Sequence, residues 1–169
     1  MRRVLFTVFS QANVFVIKLL AVTALGVLIW LDLRDRRLPA HWVGLVAGLY
    51  FALAAVQRTP LPQIATHVLI AGLACAMTAA MFSFGWMGGG DVKLSGAVFL
   101  WAGPHAAWAV LCVISLAGLP LALLMLALRR LPHASPRQTS PVLQCFEVER
   151  GVPYGVALAC GGIWAIFVT

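Results

Sequence analysis

The chain has 169 residues, of which 62% are hydrophobic and 10% charged; ordinary soluble domains carry about 25% charged residues. A water-soluble domain of this size keeps too much of its surface in water to bury so much apolar side chain. The composition therefore excludes a soluble enzyme and makes the bilayer the main solvent. The net charge of +7 alone would suit nucleic acid, but its placement points elsewhere. The basic residues sit in short loops between apolar runs, the pattern that membrane insertion selects, and they form no continuous face for a phosphate backbone.

The opening stretch, MRRVLFTVFSQA, mimics a signal peptide, but its apolar part is short and a span-length run follows at once. It is expected to be retained. The first run covers about residues 13–31, with Lys18 near its start, and ends at DLRDRRLP, where Pro39 closes the loop. A second run, about 41–56, is broken by QRTPLP. A third, about 63–84, ends at GWMGGGD. The fourth, 92–102, is short for an upright span, which needs about 20 residues. Gly103-Pro104 breaks the chain before a fifth run, about 106–128. The polar, proline-bearing RRLPHASPRQTSPVLQCFEVER reads as a loop, and a last run covers 152–169. The predicted fold is an all-α, polytopic integral membrane protein of about six transmembrane helices. It forms a single transmembrane domain over residues 1–169, without an internal repeat of the kind transporters carry.

If all six runs cross, Arg34, Arg36, Arg37, Lys93, Arg129, Arg130, Arg137 and Arg150 share one side, and Arg2, Arg3 and Arg58 the other. The richer side is expected in the cytoplasm, with the N-terminus outside. Cys75, Cys112, Cys145 and Cys160 form no C-x-x-C pair, and three lie inside apolar runs, so they read as small buried side chains. His41, His67, His105 and His133 show no metal-ligand spacing. No metal and no cofactor are expected.

This topology puts Asp32 and Asp91 at the same membrane depth and on the same side. If spans one and four pack together, the two carboxylates meet. Two close carboxylates share a proton. The ionised one takes a proton from water as it attacks a peptide carbonyl, and the protonated one donates to the carbonyl oxygen or the leaving amine. Gly88, Gly89 and Gly90, which let backbone approach closely and adopt positive φ, offer main-chain groups to an extended peptide substrate. Each acid also has a plain structural reading. Asp91 suits a helix N-cap, and Asp32 balances Arg36 in the loop.

DLRDRRLP after one span, GGGDVKL before another and VPYGVALACGG in the last resemble the type IV prepilin peptidase family, membrane aspartyl proteases of the GxGD kind. The likeness is greatest to the compact branch serving tight-adherence (Flp) pili. The resemblance implies that Asp32 and Asp91 are the catalytic pair and that Asp35 has a loop role. It implies a prepilin substrate, with a basic leader and an apolar helix, cut at the cytoplasmic face of a bacterial inner membrane. Relatives often carry Asn or Asp after the motif proline, where this chain has Ala40 and then His41. Larger relatives also carry a paired-cysteine insert and methylate the new N-terminus; with no such insert here, peptidase activity without methyl transfer is expected.

Around this pair, Lys93 either biases the dyad or serves as an inside-facing charge. Pro153, Tyr154 and Gly155 form the late family motif, in which Tyr154 either packs beside the site or anchors at the interface. Arg34, Arg36 and Arg37 are expected to meet anionic lipid heads. Two rival functions remain open. In a small transporter or channel the acids are ion ligands; in a non-catalytic secretion-assembly subunit they are inert. Acids at span edges favour the peptidase.

Overall fold

In a computed structural model the chain is described over residues 2–35, 38–130 and 154–169. Arg36, Arg37, His133, Arg137, Cys145, Arg150 and Pro153 lie outside the described residues, as do the side chains of Arg2, Arg3, Arg129 and Arg130. Every regular element among the described residues is an α-helix. They are α1 (Arg2–Asp35), α2 (Ala40–Gln57), α3 (Leu61–Ser83), α4 (Gly89–Arg130) and α5 (Tyr154–Val168). Stretches of the first four are long and apolar enough to cross a membrane.

Prolines set two of the starts. Pro39 and Pro60 hold extended backbone at the N-caps of α2 and α3. A proline there costs nothing, because the N–H it lacks has no helical partner at that end. Arg58, at φ 53°, closes α2 in the left-handed region. Its backbone N–H donates to Ala55, and that of Thr59 donates to Ala54, which satisfies carbonyls the helix end leaves open. The first helix starts well before the predicted run, because residues 2–12 continue it without a break. At its other end α1 runs on to Asp35, so Asp32 lies one turn inside the helix rather than at its end.

The expected break at Gly103-Pro104 is present. Gly103 has φ 58° and ψ −171°, far from helical values, and splits α4 into two arms, residues 89–102 and 104–130. The arms run in opposite directions along α5. Val98 of the first arm meets Gly162, and Trp101 meets Thr169. On the second arm, Ile114 meets Gly161 and Gly118 meets Ala157. The short fourth run is thus one limb of a helical hairpin, about 21 Å long at 1.5 Å per residue.

Reversal frees carbonyls, and in an apolar medium each must find a donor. Pro104 has no N–H to offer Leu100, four residues earlier. His67 of α3 fills the gap: its Nδ1–H donates to the Leu100 carbonyl at 2.9 Å. That bond fixes which nitrogen carries the proton, since a carbonyl only accepts. The ring sits against Gly103, where a Cβ would overlap it, and stacks on Tyr50 with centroids 5.3 Å apart. The Thr169 hydroxyl reaches the next carbonyl, that of Trp101, at 3.2 Å, while also bonding Ala165. The Trp101 indole N–H donates to Val46 of α2 at 2.9 Å.

The core holds Leu25, Leu28, Val46, Leu94, Val98, Trp101, Val110 and Ile166. The most enclosed element is α5, with Gly155, Ala157, Leu158, Ala159, Gly161, Gly162, Ala165 and Ile166 buried. Small side chains let helices approach closely where lipid gives no hydrophobic drive between them. The condition set for the two acids to meet, that spans one and four pack together, is met only indirectly. Their backbones are not close neighbours; α1 and α4 both pack on α2 and α5 instead. The glycine and alanine face of α5 is slim enough to lie between them, so Leu25 and Val98 meet over Gly162.

Candidate active site

Asp32 and Asp91 occupy one end of the bundle, away from the reversal. Both are buried, with 6% and 9% of their surface exposed, and the Asp32 charge acts on the Asp91 carboxyl. The carboxylates are therefore within electrostatic reach of each other although α1 and α4 pack little on each other. What joins them is α5 and the short connection at Leu38.

Asp91 is the third residue of α4, and Gly88 stands just before the helix. The Asp91 carboxylate folds back and accepts a hydrogen bond from the Gly88 backbone N–H, the return half of a capping box. Its capping role is thus real, at the third helical position rather than the N-cap, and it coexists with the approach to Asp32. A Cβ on Gly88 would stand 3.1 Å from Asp91 Oδ2, so Gly88 gives the carboxylate its room.

The expectation of positive φ at Gly88, Gly89 and Gly90 is not met. Gly89 and Gly90 already belong to the first turn of α4, and positive φ falls on Gly85, where the chain leaves α3. The reason is local. Helix formation commits Gly89 and Gly90 to negative φ, and the sharp change of direction is made earlier, at Gly85. The expected close approach is present at Gly90: a Cβ there would stand 2.9 Å from Leu38 Cβ.

Asp32 rests against α5. A Cβ on Gly155 would stand 2.7 Å from Asp32 Oδ2 and 3.2 Å from Leu38 Cδ1. Gly155 therefore joins the candidate site. Tyr154 is exposed, as an interfacial anchor would be. Lys93 is exposed and makes no ion pair with any described residue. Asp35 is exposed and lies 3.7 Å from Arg34, which also covers the Trp30 ring. His41 is exposed. Among the described residues no group of three metal-ligating side chains gathers.

Leu38 escaped the sequence reading. Its position just before the motif proline was visible, but nothing local marks a leucine that two glycines will receive. Ser95 escaped it too. Fully buried one turn below Asp91, its hydroxyl donates to Val92 at 2.8 Å and lies 2.9 Å from the Thr78 hydroxyl of α3. That pair ties the acid-bearing arm to its neighbour.

No curated protein and no solved structure matches the chain. The type IV leader peptidase family, however, matches residues 19–124. That stretch carries Asp32, the DLRDRRLP connection, the glycine run with Asp91 and the helical reversal, and on it the chain belongs to the type IV leader peptidase family.

Proposed function

We propose that the chain is a membrane aspartyl endopeptidase of the GxGD type that removes the basic leader from prepilins, with Asp32 and Asp91 as the water-activating pair. The observation that carries this reading is that two acids 59 residues apart in sequence are both buried at one end of the bundle, near enough for one charge to act on the other. A burial cost of that kind is retained where the groups have work to do. One carboxylate takes a proton from water while the water oxygen attacks the scissile carbonyl carbon. The other gives its proton to the carbonyl oxygen. Collapse of the tetrahedral intermediate breaks the C–N bond, and the leaving amine takes up a proton.

The acid end also carries Arg34 and Lys93, both exposed, which supports a cytoplasmic active site in a bacterial inner membrane. A prepilin whose apolar helix lies in the bilayer then presents its cut site at that depth. The likeness of the acid motifs to those of the compact Flp branch favours a Flp-type prepilin. No cofactor enters this reaction.

The test is cleavage in membranes. A tagged Flp-type prepilin is co-expressed with wild type, Asp32→Asn or Asp91→Asn, with equal insertion of the three checked first. Wild type is expected to cut, and each variant to lose at least about 100-fold in rate. Cutting that survives either substitution removes that acid from the reaction. No cutting by wild type across several prepilins removes the peptidase assignment.

A further inference from the structure

Leu38 is the large apolar side chain that touches the carriers of both acids. A Cβ on Gly90 would stand 3.4 Å from Leu38 Cδ1, and a Cβ on Gly155 would stand 3.2 Å from the same methyl. Gly90 directly precedes Asp91. Gly155 is the residue against which Asp32 Oδ2 rests, 2.7 Å from where its Cβ would be. One methyl group thus lies in the space between the two acid-bearing segments. Leu38 is only partly buried while it packs on the core, so one side of it is held and the other is open.

From this placement we propose that Leu38 determines specificity, its side chain forming the wall against which one of the two residues flanking the scissile bond must fit. The inference rests on the peptidase reading above. A peptide group attacked between Asp32 and Asp91 has to come within hydrogen-bond reach of both. The side chains on either side of that bond then project only a few ångströms away, and on one side they meet Leu38. Neither glycine can yield space, because backbone already closes on the leucine there. The room available is set by Leu38 itself. A leucine at this position admits a small residue and crowds a branched one; a smaller wall admits both.

The experiment uses the full chain in membranes and a prepilin series carrying glycine, alanine or leucine at each of the two positions flanking the cut. Wild type is compared with Leu38→Ala and Leu38→Met. Leu38→Ala is expected to raise cleavage of the leucine-bearing substrate, relative to the glycine-bearing one, by about tenfold or more at one of the two positions. Leu38→Met, of similar volume, is expected to keep the wild-type ratio. If Leu38→Ala lowers every substrate by one common factor, the side chain is a structural support and the proposal is overturned. An unchanged ratio with unchanged rates overturns it too. Failure of the peptidase reading looks different: wild type then cuts no member of the series, glycine-bearing or not.

Discussion

The two ends of the bundle solve opposite problems with the same few residue types. At the reversal end, Gly103 and Pro104 break a helix inside an apolar medium. The freed carbonyls are met at once by His67 Nδ1 and the Thr169 hydroxyl, and an imidazole, a phenol ring and an indole close around them. At the acid end, glycines make room for carboxylates. The first end satisfies polar groups so that the chain can turn. The second gathers two like charges that a structure optimised for stability would keep apart. Polar groups buried at the two ends thus serve different purposes here: those at the reversal close off freed backbone, and those at the acid end, by the proposed mechanism, also meet water and a peptide bond.

Substitutions outside the acid pair can break this contrast, and the largest effect among them is expected at Gly155. Gly155→Ala places a methyl group 2.7 Å from Asp32 Oδ2, forcing the carboxylate to move. Cleavage is expected to fall at least about tenfold, since small misplacements of a catalytic group are costly, while insertion and thermal stability stay near wild type. Gly48→Ala is the control, because a Cβ there meets nothing within 4 Å. Equal rates for the two variants would mean that the close approach at Gly155 is irrelevant to the chemistry.

The next effect is expected at the other end and in the other readout. His67→Ala leaves the Leu100 carbonyl without its donor, at a cost of about 1–3 kcal/mol. Thermal unfolding in detergent should show it as a lowered midpoint, with a smaller loss of cleavage than Gly155→Ala causes. His67→Asn, which can still donate, should recover part of the midpoint. A His67→Ala protein as stable as wild type would show that the reversal does not depend on this bond. Smallest of all is Lys93→Met. Lys93 is exposed and unpaired among the described residues, so the pH–rate profile should keep its shape. A profile displaced along the pH axis would return Lys93 to the site.

Much of this was legible beforehand because membrane proteins write their architecture in hydropathy. Runs about 20 residues long, ended by Pro39, Pro60 and the glycine run, located the helices to within a few residues, and Gly103-Pro104 marked the turn. The exception was the start of α1, where a stretch resembling a signal sequence is continuous helix. Topology put the two acids at one depth, and they do lie at one end of the bundle. Their means of meeting was not legible. Helix-to-helix neighbours depend on which faces are small, and the glycines and alanines of α5 looked like ordinary filler in an apolar run. Leu38 was invisible for a similar reason: a leucine gains its meaning from the two glycines, 52 and 117 residues further on, that receive it.

The position of α5 in the chain sets an order of assembly. Asp32 and Asp91 are made before residue 155, which rests against one of them. At roughly 5–20 residues per second the delay is on the order of seconds. During that interval the nascent chain already holds both acids, but the slim helix that seats Asp32 has not been synthesised. The proposed site is thereby completed only after the helices that carry both acids have been made, a form of timing written into the order of the helices rather than into any regulator.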